Sequence, residues 1–170
     1  MDQLDFSLIN LDESNWRDFR KIRLEALKNH PDLFAPSEDE TTFTQADWKA
    51  RLANPNAGTF GLYSSDDIIG LTGIVVDRND PTRGIFIMSY IREAFRQKGL
   101  SSLFYKQRIE WASQHPTIKT VESGHVEGNQ ASYKANQRFG FRSTGSHEHI
   151  GLNGVKKRIF TYERSVKYKD

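Results

Sequence analysis

The segment from Arg92 to Ala112 has the sequence REAFRQKGLSSLFYKQRIEWA and contains the longest helical pattern of the chain. Its first half is polar, and its second half has the apolar spacing of a helix, which we predict to begin near Gln97. The first backbone N–H groups of a helix have no partner within the helix, and the helix dipole gives them partial positive charge. A helix start is therefore a favourable place for an anion, a phosphate group above all.

The side chains around this helix start suit a pyrophosphate. Arg96 and Lys98 carry positive charge, and Ser101 and Ser102 are small hydrogen-bond donors. Gly99 allows a ligand to approach the backbone closely. The glycine–lysine–serine/threonine order of a Walker loop is absent, and one glycine stands where a dinucleotide fingerprint has three. A solvated basic turn is the alternative interpretation.

The segments on either side of this helix predict an α+β fold. Three β-type runs precede it, GTFGLYSS, DDIIGLTGIVVDR and RGIFIMSYI, and a strand TIKTVESGHV follows it. With a first strand, two helices before the runs, and a last helix and two strands at the end, the order is β-α-α-β-β-β-α-β-α-β-β. This order predicts a mixed, mostly antiparallel sheet of about seven strands flanked by helices. We expect residues 1–170 to form a single domain.

Composition excludes several classes of function. The 170 residues include no cysteine, so disulfides and thiolate metal sites are excluded. Net charge is +2, from 24 basic and 22 acidic residues, which is too balanced for a nucleic-acid or membrane surface based on charge. Neither a signal peptide nor an apolar run of about 20 residues is visible. We expect a soluble, cytoplasmic protein without nucleic-acid, membrane or metal partners.

A second segment, from Glu127 to Phe141, has the sequence EGNQASYKANQRFGF. Together with RQKGLS, it resembles the GNAT superfamily of N-acetyltransferases. That family carries Q/R-x-x-G-x-G/A at the start of its central helix, and the matching residues here are Arg96, Gln97, Lys98, Gly99, Leu100 and Ser101. It carries Asn-x-x-Ala-x-x-x-Tyr-x-x-x-Gly-Phe on the next helix, and the matching residues are Asn129, Ser132, Asn136, Gly140 and Phe141. The predicted order of elements matches along nearly the whole chain.

The resemblance implies a V-shaped split between the fourth and fifth strands, with acetyl-CoA as cosubstrate in the split. It implies that the pyrophosphate lies on the helix start and that the pantetheine amides pair with the strand ending at Tyr90 and Ile91. Asn129 would bond the pantetheine arm. The other cofactor-binding residues that it implies are Arg96, Gln97, Lys98, Gly99, Leu100, Ser101, Ser102, Ser132 and Asn136.

The chain departs from the family pattern at three positions. Gln97 stands where glycine is frequent, and Ser101 where glycine or alanine is preferred. Asn136 stands where many members have a tyrosine that protonates the leaving thiolate, and an amide can only donate a hydrogen bond. A thiol has a pKa of about 8.5, so its thiolate is a tolerable leaving group. Tyr133, one turn earlier, is a candidate acid, with packing or a surface position as its alternative.

The implied reaction is direct attack of an amine on the thioester in a ternary complex, which requires that the amine lose a proton. His125 and Glu127 lie at the end of the fifth strand, on one face, and are candidate bases. Histidine titrates near neutral pH, which suits this role. An ordinary strand histidine, a surface carboxylate and a water relay are the alternatives.

Three further groups have both a functional and an ordinary interpretation. His147 and His149 share a strand face, as a metal pair or as solvated side chains. The acidic run from Ser37 to Glu40 attracts a cationic amine or forms a solvated loop. Four aromatic residues line a pocket or, as we favour, belong to the core: Trp16, Phe34, Phe43 and Trp48.

These patterns predict an acetyl-CoA-dependent N-acetyltransferase that acts on a small-molecule or peptide amine. The alternative is a catalytically idle acyl-CoA-binding or sensing module, which Asn136 favours. A nucleic-acid-binding domain is disfavoured by the charge balance. The identity of the acceptor and the oligomeric state, a homodimer included, stay open.

Overall fold

The structure, a computed structural model, describes residues 5–31, 34, 36, 38–151 and 154–166. The strands and α-helices follow the predicted order, and the α+β class is confirmed. The elements are β1 Phe6–Asn10, α1 Trp16–Asn29, α2 Gln45–Ala53, β2 Ala57–Ser64, β3 Asp67–Val76, β4 Arg83–Ile91, α3 Ser101–Gln114, β5 Thr120–Val126, α4 Gln130–Arg138, β6 Arg142–Ile150 and β7 Lys156–Ser165. None of the helices in these described ranges is long and apolar enough to cross a bilayer.

Helix α3 begins at Ser101, so the predicted start near Gln97 is wrong. Gln97 has a φ of 62° and Gly99 a φ of 76°, and both lie in the left-handed region. A right-handed helix cannot pass through such residues. A short 3₁₀ turn, Glu93–Phe95, therefore ends β4, and an irregular loop leads from it into α3.

The seven strands form one sheet in the order β1-β2-β3-β4-β5-β7-β6. All neighbours are antiparallel except β4 and β5. The parallel pairing of β4 with β5 joins Arg83–Ile85 to Thr120–Glu122 and goes no further. From Phe86 and Ser123 onward the two strands have no register partners in each other, which confirms the predicted split between the fourth and fifth strands.

A β-bulge in β4 explains why the strands separate. Leu71 pairs with Tyr90 and Gly73 pairs with Ile87, so two residues of β4, Met88 and Ser89, stand opposite one residue of β3. Met88 takes a φ of 61° at this point. Bulges bend the strand that carries the extra residue and increase its twist. The end of β4 consequently diverges from β5.

The helices cover opposite faces of the sheet. On one face α1 and α2 bury a cluster that includes Phe19, Ile22 and Trp48. On the other face α3 and α4 pack over a cluster that includes Tyr105 and Ala135. Trp48 is fully buried, and the other three aromatic residues of the prediction, Trp16, Phe34 and Phe43, pack partly buried against the first cluster.

Within the acidic run before α2, Glu40 is neither solvated nor free to attract a cation. Glu40 is buried and accepts two hydrogen bonds from the buried Arg23, at 3.0 and 2.9 Å, and one from Arg51 at 2.8 Å. Asp39 caps a 3₁₀ turn, and Glu38 is exposed. Ser37 lies outside the described residues. Glu40 therefore joins α1 to α2 and is not available to an amine.

Glu40→Ala should lower the free energy of unfolding by about 3 kcal/mol, because it leaves the Arg23 guanidinium buried without its anion. Urea denaturation measures the change. Glu38→Ala removes an exposed carboxylate from the same loop and is expected to change stability by less than about 0.5 kcal/mol. Equal stability of the two variants would contradict a structural role for the buried pair.

Candidate functional site

The loop between β4 and α3 presents a row of unpartnered backbone donors. Arg96 N donates to Glu93 O, and Ser102 N donates to Gly99 O. Between these bonds, the N–H groups of residues 97–101 donate to no acceptor in the described part of the chain. We call residues 97–101 the N–H loop. Unpartnered N–H groups at a helix start form a site for an anion.

The backbone conformation explains the shape of the N–H loop. Gly99 is left-handed, and Leu100 after it is right-handed, with a φ of −69°. Successive residues of opposite hand point their N–H groups into a shared concavity that binds anions. A Cβ atom at Gly99 would meet no atom within 4 Å, so the space beside this residue is open.

Gln97 occupies a position for which glycine is the better residue. Its φ of 62° is readily adopted by glycine and disfavoured for residues with a Cβ atom. The frequent glycine of the family at this position thus has a conformational reason. Gln97 takes the same conformation at some cost in backbone strain.

The Arg96 side chain turns toward β4 and α1. Its Nε donates to Ile91 O at 2.7 Å, and its Nη2 donates to His30 Nε2 at 2.8 Å. Its guanidinium also lies over the Tyr90 ring. Arg96 therefore ties the N–H loop to the end of β4, whereas Lys98 is exposed. Contact of Arg96 or Lys98 with a phosphate stays a prediction.

The end of β4 offers one peptide group to the split. Arg92 N donates to Ile69 O, and in an antiparallel pair alternate residues turn their peptide groups to the same side. The peptide groups of Ile91 therefore face away from β3, into the split, and those of Tyr90 face β3. Because the carbonyl of Ile91 already accepts from Arg96, its N–H is the free group.

Helix α4 places three polar residues along one face, at Asn129, Ser132 and Asn136. Asn129 Oδ1 accepts from Ser132 N at 3.2 Å and caps the helix. The cap uses the oxygen of this amide and leaves its nitrogen as a donor. The motif residues of α4 thus form a line of donors beside β5.

Asn136 is fully buried in a polar cluster that the sequence did not reveal. Its Oδ1 accepts from Tyr105 OH at 2.6 Å and from Ser123 Oγ at 2.7 Å. Its Nδ2 is also buried and donates to no acceptor among the described residues. Burial raises the pKa of Tyr105, so its hydroxyl stays protonated at neutral pH. We call Tyr105, Ser123 and Asn136 the Asn136 cluster.

Three of the four predicted catalytic residues lie together, apart from Asn136. His125, Glu127 and Tyr133 line a cavity of about 320 Å³ between α4, β5 and β7, together with Gly128, Gln130, Phe160 and Tyr162. We call it the aromatic pocket. Tyr133 is 38% exposed, and its hydroxyl accepts from Gln137. Tyr133 therefore does not reach into the Asn136 cluster, although it precedes Asn136 by one turn.

Hydrogen bonds define which ring nitrogen of the neutral His125 side chain carries the proton. Its Nδ1 lies 3.1 Å from Val126 O and its Nε2 lies 2.9 Å from Tyr162 OH. A carbonyl only accepts, so Nδ1 carries the proton in the neutral imidazole, and Tyr162 donates to Nε2. The rings of Phe160 and Tyr162 stack on the imidazole. Burial raises the pKa of Tyr162, which keeps it a donor.

A second cavity, of about 400 Å³, lies on the opposite face at the end of β4. Its chief acidic group, Glu25, accepts from Tyr90 OH at 3.0 Å and from Arg92 Nε at 2.9 Å. Burial raises the pKa of Glu25, but the hydrogen bonds from Arg92 and Tyr90 outweigh it, and the pKa is lowered. Asn29, His30, Arg92 and Glu93 complete the lining. Sequence reasoning missed this cavity because its residues come from separate segments.

The described residues contain no group of three histidine, aspartate or glutamate side chains that could hold a metal ion. His147 is exposed on β6, one of the two edge strands of the sheet, and His149 follows two residues later. Neither lies in the split.

The geometry fits an acyl-CoA. The N–H loop offers five donors to a pyrophosphate, and open space adjoins Gly99. The split exposes the N–H of Ile91 to an extended arm. The Nδ2 of Asn136 is a buried donor without an acceptor among the described residues, as are the Nη1 of Arg23 and the Nε1 of Trp48.

Comparisons with known proteins agree with this geometry. The sequence model of the acetyltransferase (GNAT) family matches residues 12–141. No match to a curated protein was found by sequence.

Solved structures share the fold at low sequence identity. The ribosomal-protein-S5-alanine acetyltransferase of Vibrio fischeri is 16% identical, with a TM-score of 0.79, over 100% of this chain and 98% of that one. A GNAT acetyltransferase of Streptococcus pneumoniae is 18% identical, with a TM-score of 0.77, over 95% and 99%. An acetyltransferase of Salmonella typhimurium, solved with its cofactor acetyl-CoA, is 14% identical, with a TM-score of 0.76, over 98% and 96%.

Gly99→Glu should abolish the stabilisation that acetyl-CoA gives the wild-type protein, because the new carboxylate enters the N–H loop. For the wild type, acetyl-CoA at about 100 times its dissociation constant should add about 2.7 kcal/mol. Thermal unfolding with and without acetyl-CoA measures the effect.

Gly154→Glu is the matched control. Gly154 has a φ of 78°, and a Cβ atom there also meets nothing within 4 Å, so the backbone strain is the same. We expect this variant to lose stability as Gly99→Glu does and to retain the full response to acetyl-CoA. Retention of the response in both variants would mean that the pyrophosphate binds elsewhere.

Proposed function

Because this chain belongs to the GNAT family of acetyltransferases, we propose that it transfers the acetyl group of acetyl-CoA to a primary amine by direct attack in a ternary complex. The observation that carries the proposal is the row of unpartnered N–H groups in the N–H loop, beside a split whose inner end holds the orphaned amide of Asn136. A ligand with an anionic end and an extended arm that accepts hydrogen bonds would supply acceptors for the N–H loop and for the Asn136 amide.

Each part of the site has a separate task in this proposal. The N–H loop and Lys98 bind the phosphates, and Ile91 and Asn129 orient the arm. Acetyl-CoA, when bound, supplies an acyl thioester that an amine can attack. Asn136 Nδ2 donates a hydrogen bond toward the sulfur, and Tyr105 and Ser123 hold the Asn136 amide by its oxygen.

We assign the removal of the amine proton to His125, acting through Tyr162. Ser123 and His125 lie two residues apart on one face of β5, so the aromatic pocket adjoins the Asn136 cluster. The amine proton passes to the Tyr162 oxygen as the Tyr162 proton passes to His125 Nε2, along the existing 2.9 Å hydrogen bond. Glu25 is the weaker candidate, because its lowered pKa makes it a poor base.

The acceptor that fits this machinery best is the α-amine of a peptide. An α-amine has a pKa of about 7.8, against about 10.4 for lysine, so its neutral fraction at neutral pH is more than about a hundredfold larger. Because an α-amine loses its proton readily, it needs only a weak base, such as a histidine that acts through Tyr162. It also suits a site that has no tyrosine acid. The Vibrio fischeri relative, named for the alanine of ribosomal protein S5, supports the same class of acceptor.

The idle acyl-CoA-binding module is the second candidate, and Asn136 is the observation in its favour. It predicts binding of acetyl-CoA without amine-dependent release of thiol. Amine-dependent release of thiol therefore distinguishes the acetyltransferase from the idle module.

The decisive experiment follows thiol release from acetyl-CoA with a panel of amines. Because the chain contains no cysteine, every thiol detected comes from the cosubstrate. A peptide with free amino-terminal alanine or serine should react at least about tenfold faster than the same peptide with a blocked terminus and an internal lysine. A faster lysine peptide contradicts the α-amine assignment, and binding without thiol release for any amine favours the idle module.

His125→Gln and Tyr162→Phe should each lower the rate of transfer by about 10²-fold, within the range typical of general acid–base catalysis. The rate of transfer should depend less on pH in His125→Gln than in the wild type, because the variant has no imidazole to accept the proton. Acetyl-CoA affinity should change little in either variant.

Gln130→Ala, a change in the lining of the same pocket, serves as the control and should leave the rate within about threefold. A larger loss in Glu127→Gln than in His125→Gln would move the base to the carboxylate. Full activity of Tyr162→Phe would exclude the relay.

A further inference from the structure

Arg108 of α3 is a buried cation without an anion. It is 3% exposed. Its Nε donates to Phe104 O at 3.1 Å, its Nη1 donates to Ser89 Oγ at 2.9 Å, and its Cζ lies 3.9 Å from the centre of the Phe86 ring. Within the described residues, no carboxylate forms an ion pair with it. Arg23, by contrast, is buried with Glu40.

The elements around Arg108 offer no compensating charge. Tyr105, on the same helix, is the titratable group that acts on it, and burial raises the pKa of that phenol, so it is neutral at neutral pH. On β4 it meets Phe86 and Ser89, and Ser89 bonds in turn to Thr72 of β3. Burial lowers the pKa of Arg108 to about 9, and the guanidinium remains protonated at pH 7.

Such a charge is costly to keep. A buried cation without an anion is among the least favourable groups in a folded protein, and apolar replacements of buried ionic groups are often neutral or stabilising. Hydroxyl, carbonyl and ring contacts offset part of the cost. The remaining cost suggests an anion that is present only when the site is in use.

The position of Arg108 identifies that anion. Phe86 is the first residue of β4 beyond the parallel pairs with β5, and Ser89 lies in the bulge that opens the split. Arg108 Cζ is 5.0 Å from the Tyr105 ring, and the Tyr105 hydroxyl donates to Asn136. The charge thus lies at the inner end of the split, beside the cluster that occupies the position of the family's tyrosine acid.

We propose that the uncompensated positive charge of Arg108 stabilises the thiolate of CoA in the split, so that the sulfur leaves without a proton donor. The inference rests on the proposed function. As the amine nitrogen bonds to the acetyl carbon, the carbon–sulfur bond breaks and its electron pair stays on sulfur. The amine proton goes to His125, and the thiolate takes a proton from water after release.

A positive charge does not need direct contact with a thiolate to stabilise it. An amide cannot give up a proton, so Asn136 contributes a hydrogen bond only. A full charge acts through space, and in a site shielded from water its field is several times stronger than in bulk solvent. Arg108 would thereby supply the stabilisation of the leaving group that a tyrosine acid supplies in other members.

The test compares the binding of CoA with that of desulfo-CoA by calorimetry from about pH 6 to about pH 8.5, without an amine, so that Arg108 keeps its charge. Both ligands share every phosphate, so the ratio of their affinities isolates the thiol. A thiol whose pKa is lower when bound releases a proton on binding, and its affinity rises with pH up to the free pKa of about 8.5. We expect a rise in the wild-type ratio of about tenfold, which corresponds to a shift of about one unit.

Arg108→Met and Arg108→Gln should each make the ratio independent of pH, and Arg108→Lys should retain most of the rise. Ser89→Ala is the matched control, because it removes the hydroxyl partner in the bulge and keeps the charge, and it should retain the wild-type rise. Urea denaturation should show that Arg108→Met is as stable as the wild type or more stable. If Arg108→Met does not fold, Arg108→Gln and Arg108→Lys decide the question.

The proposal is overturned if the ratio of CoA to desulfo-CoA affinity does not change with pH in the wild type. It is also overturned if Arg108→Met and Arg108→Gln both show the full wild-type rise in this ratio. Loss of the rise in Ser89→Ala as well overturns it in favour of a guanidinium that only holds the bulge. Failure of the proposed function is distinguishable: the ratio would rise with pH while no amine released thiol. Transfer with a flat ratio leaves the proposed function standing and removes the role of Arg108.

Discussion

The β-bulge in β4 is the constraint on which the site depends. One extra residue opposite Thr72 turns the strand away from β5 after three parallel pairs, at Arg83–Ile85. Without this turn, the ladder between the strands would continue, and the peptide groups at Ile91 would be used inside the sheet. The bulge therefore converts a stretch of sheet interior into two free edges. The same turn carries the chain into the N–H loop, so the open edge of the split and the unpartnered N–H groups arise together.

The site is electropositive although the chain is nearly neutral. A net charge of +2 conceals two local sources of positive potential: the unpartnered N–H groups of residues 97–101 and the buried Arg108. Neither depends on the total count of basic residues. The Arg96 side chain, the obvious cation of the motif, instead braces Ile91 and His30. Placement and desolvation of a few donors matter more for binding an anionic cosubstrate than overall charge does.

Asn136 stands where many family members have tyrosine, and this difference bears on both the leaving thiolate and the attacking amine. The Asn136 oxygen is held by Tyr105 and Ser123, so the amide is rigid and its nitrogen is the free end. In the mechanism that we propose, such a site stabilises the leaving thiolate by hydrogen bonding and charge, not by proton transfer. The same proposal favours an amine that loses its proton easily, with the His125–Tyr162 pair, joined at 2.9 Å, as its relay.

The sequence by itself determined the order of the elements, because hydrophobic period and turn residues act over a few neighbouring residues. The split followed only from the resemblance to the family, and anion binding by the N–H loop stays a prediction. The sequence did not determine where α3 begins, since the left-handed Gln97 follows from how the loop closes onto β4 and α1. Contacts between distant residues were also beyond it. Glu40 pairs with Arg23 across 17 residues, and Tyr105 meets Asn136 across 31. The partners of such buried groups depend on how helices pack on the sheet, and that packing alone decided which polar side chains were left with a free donor or an unmatched charge.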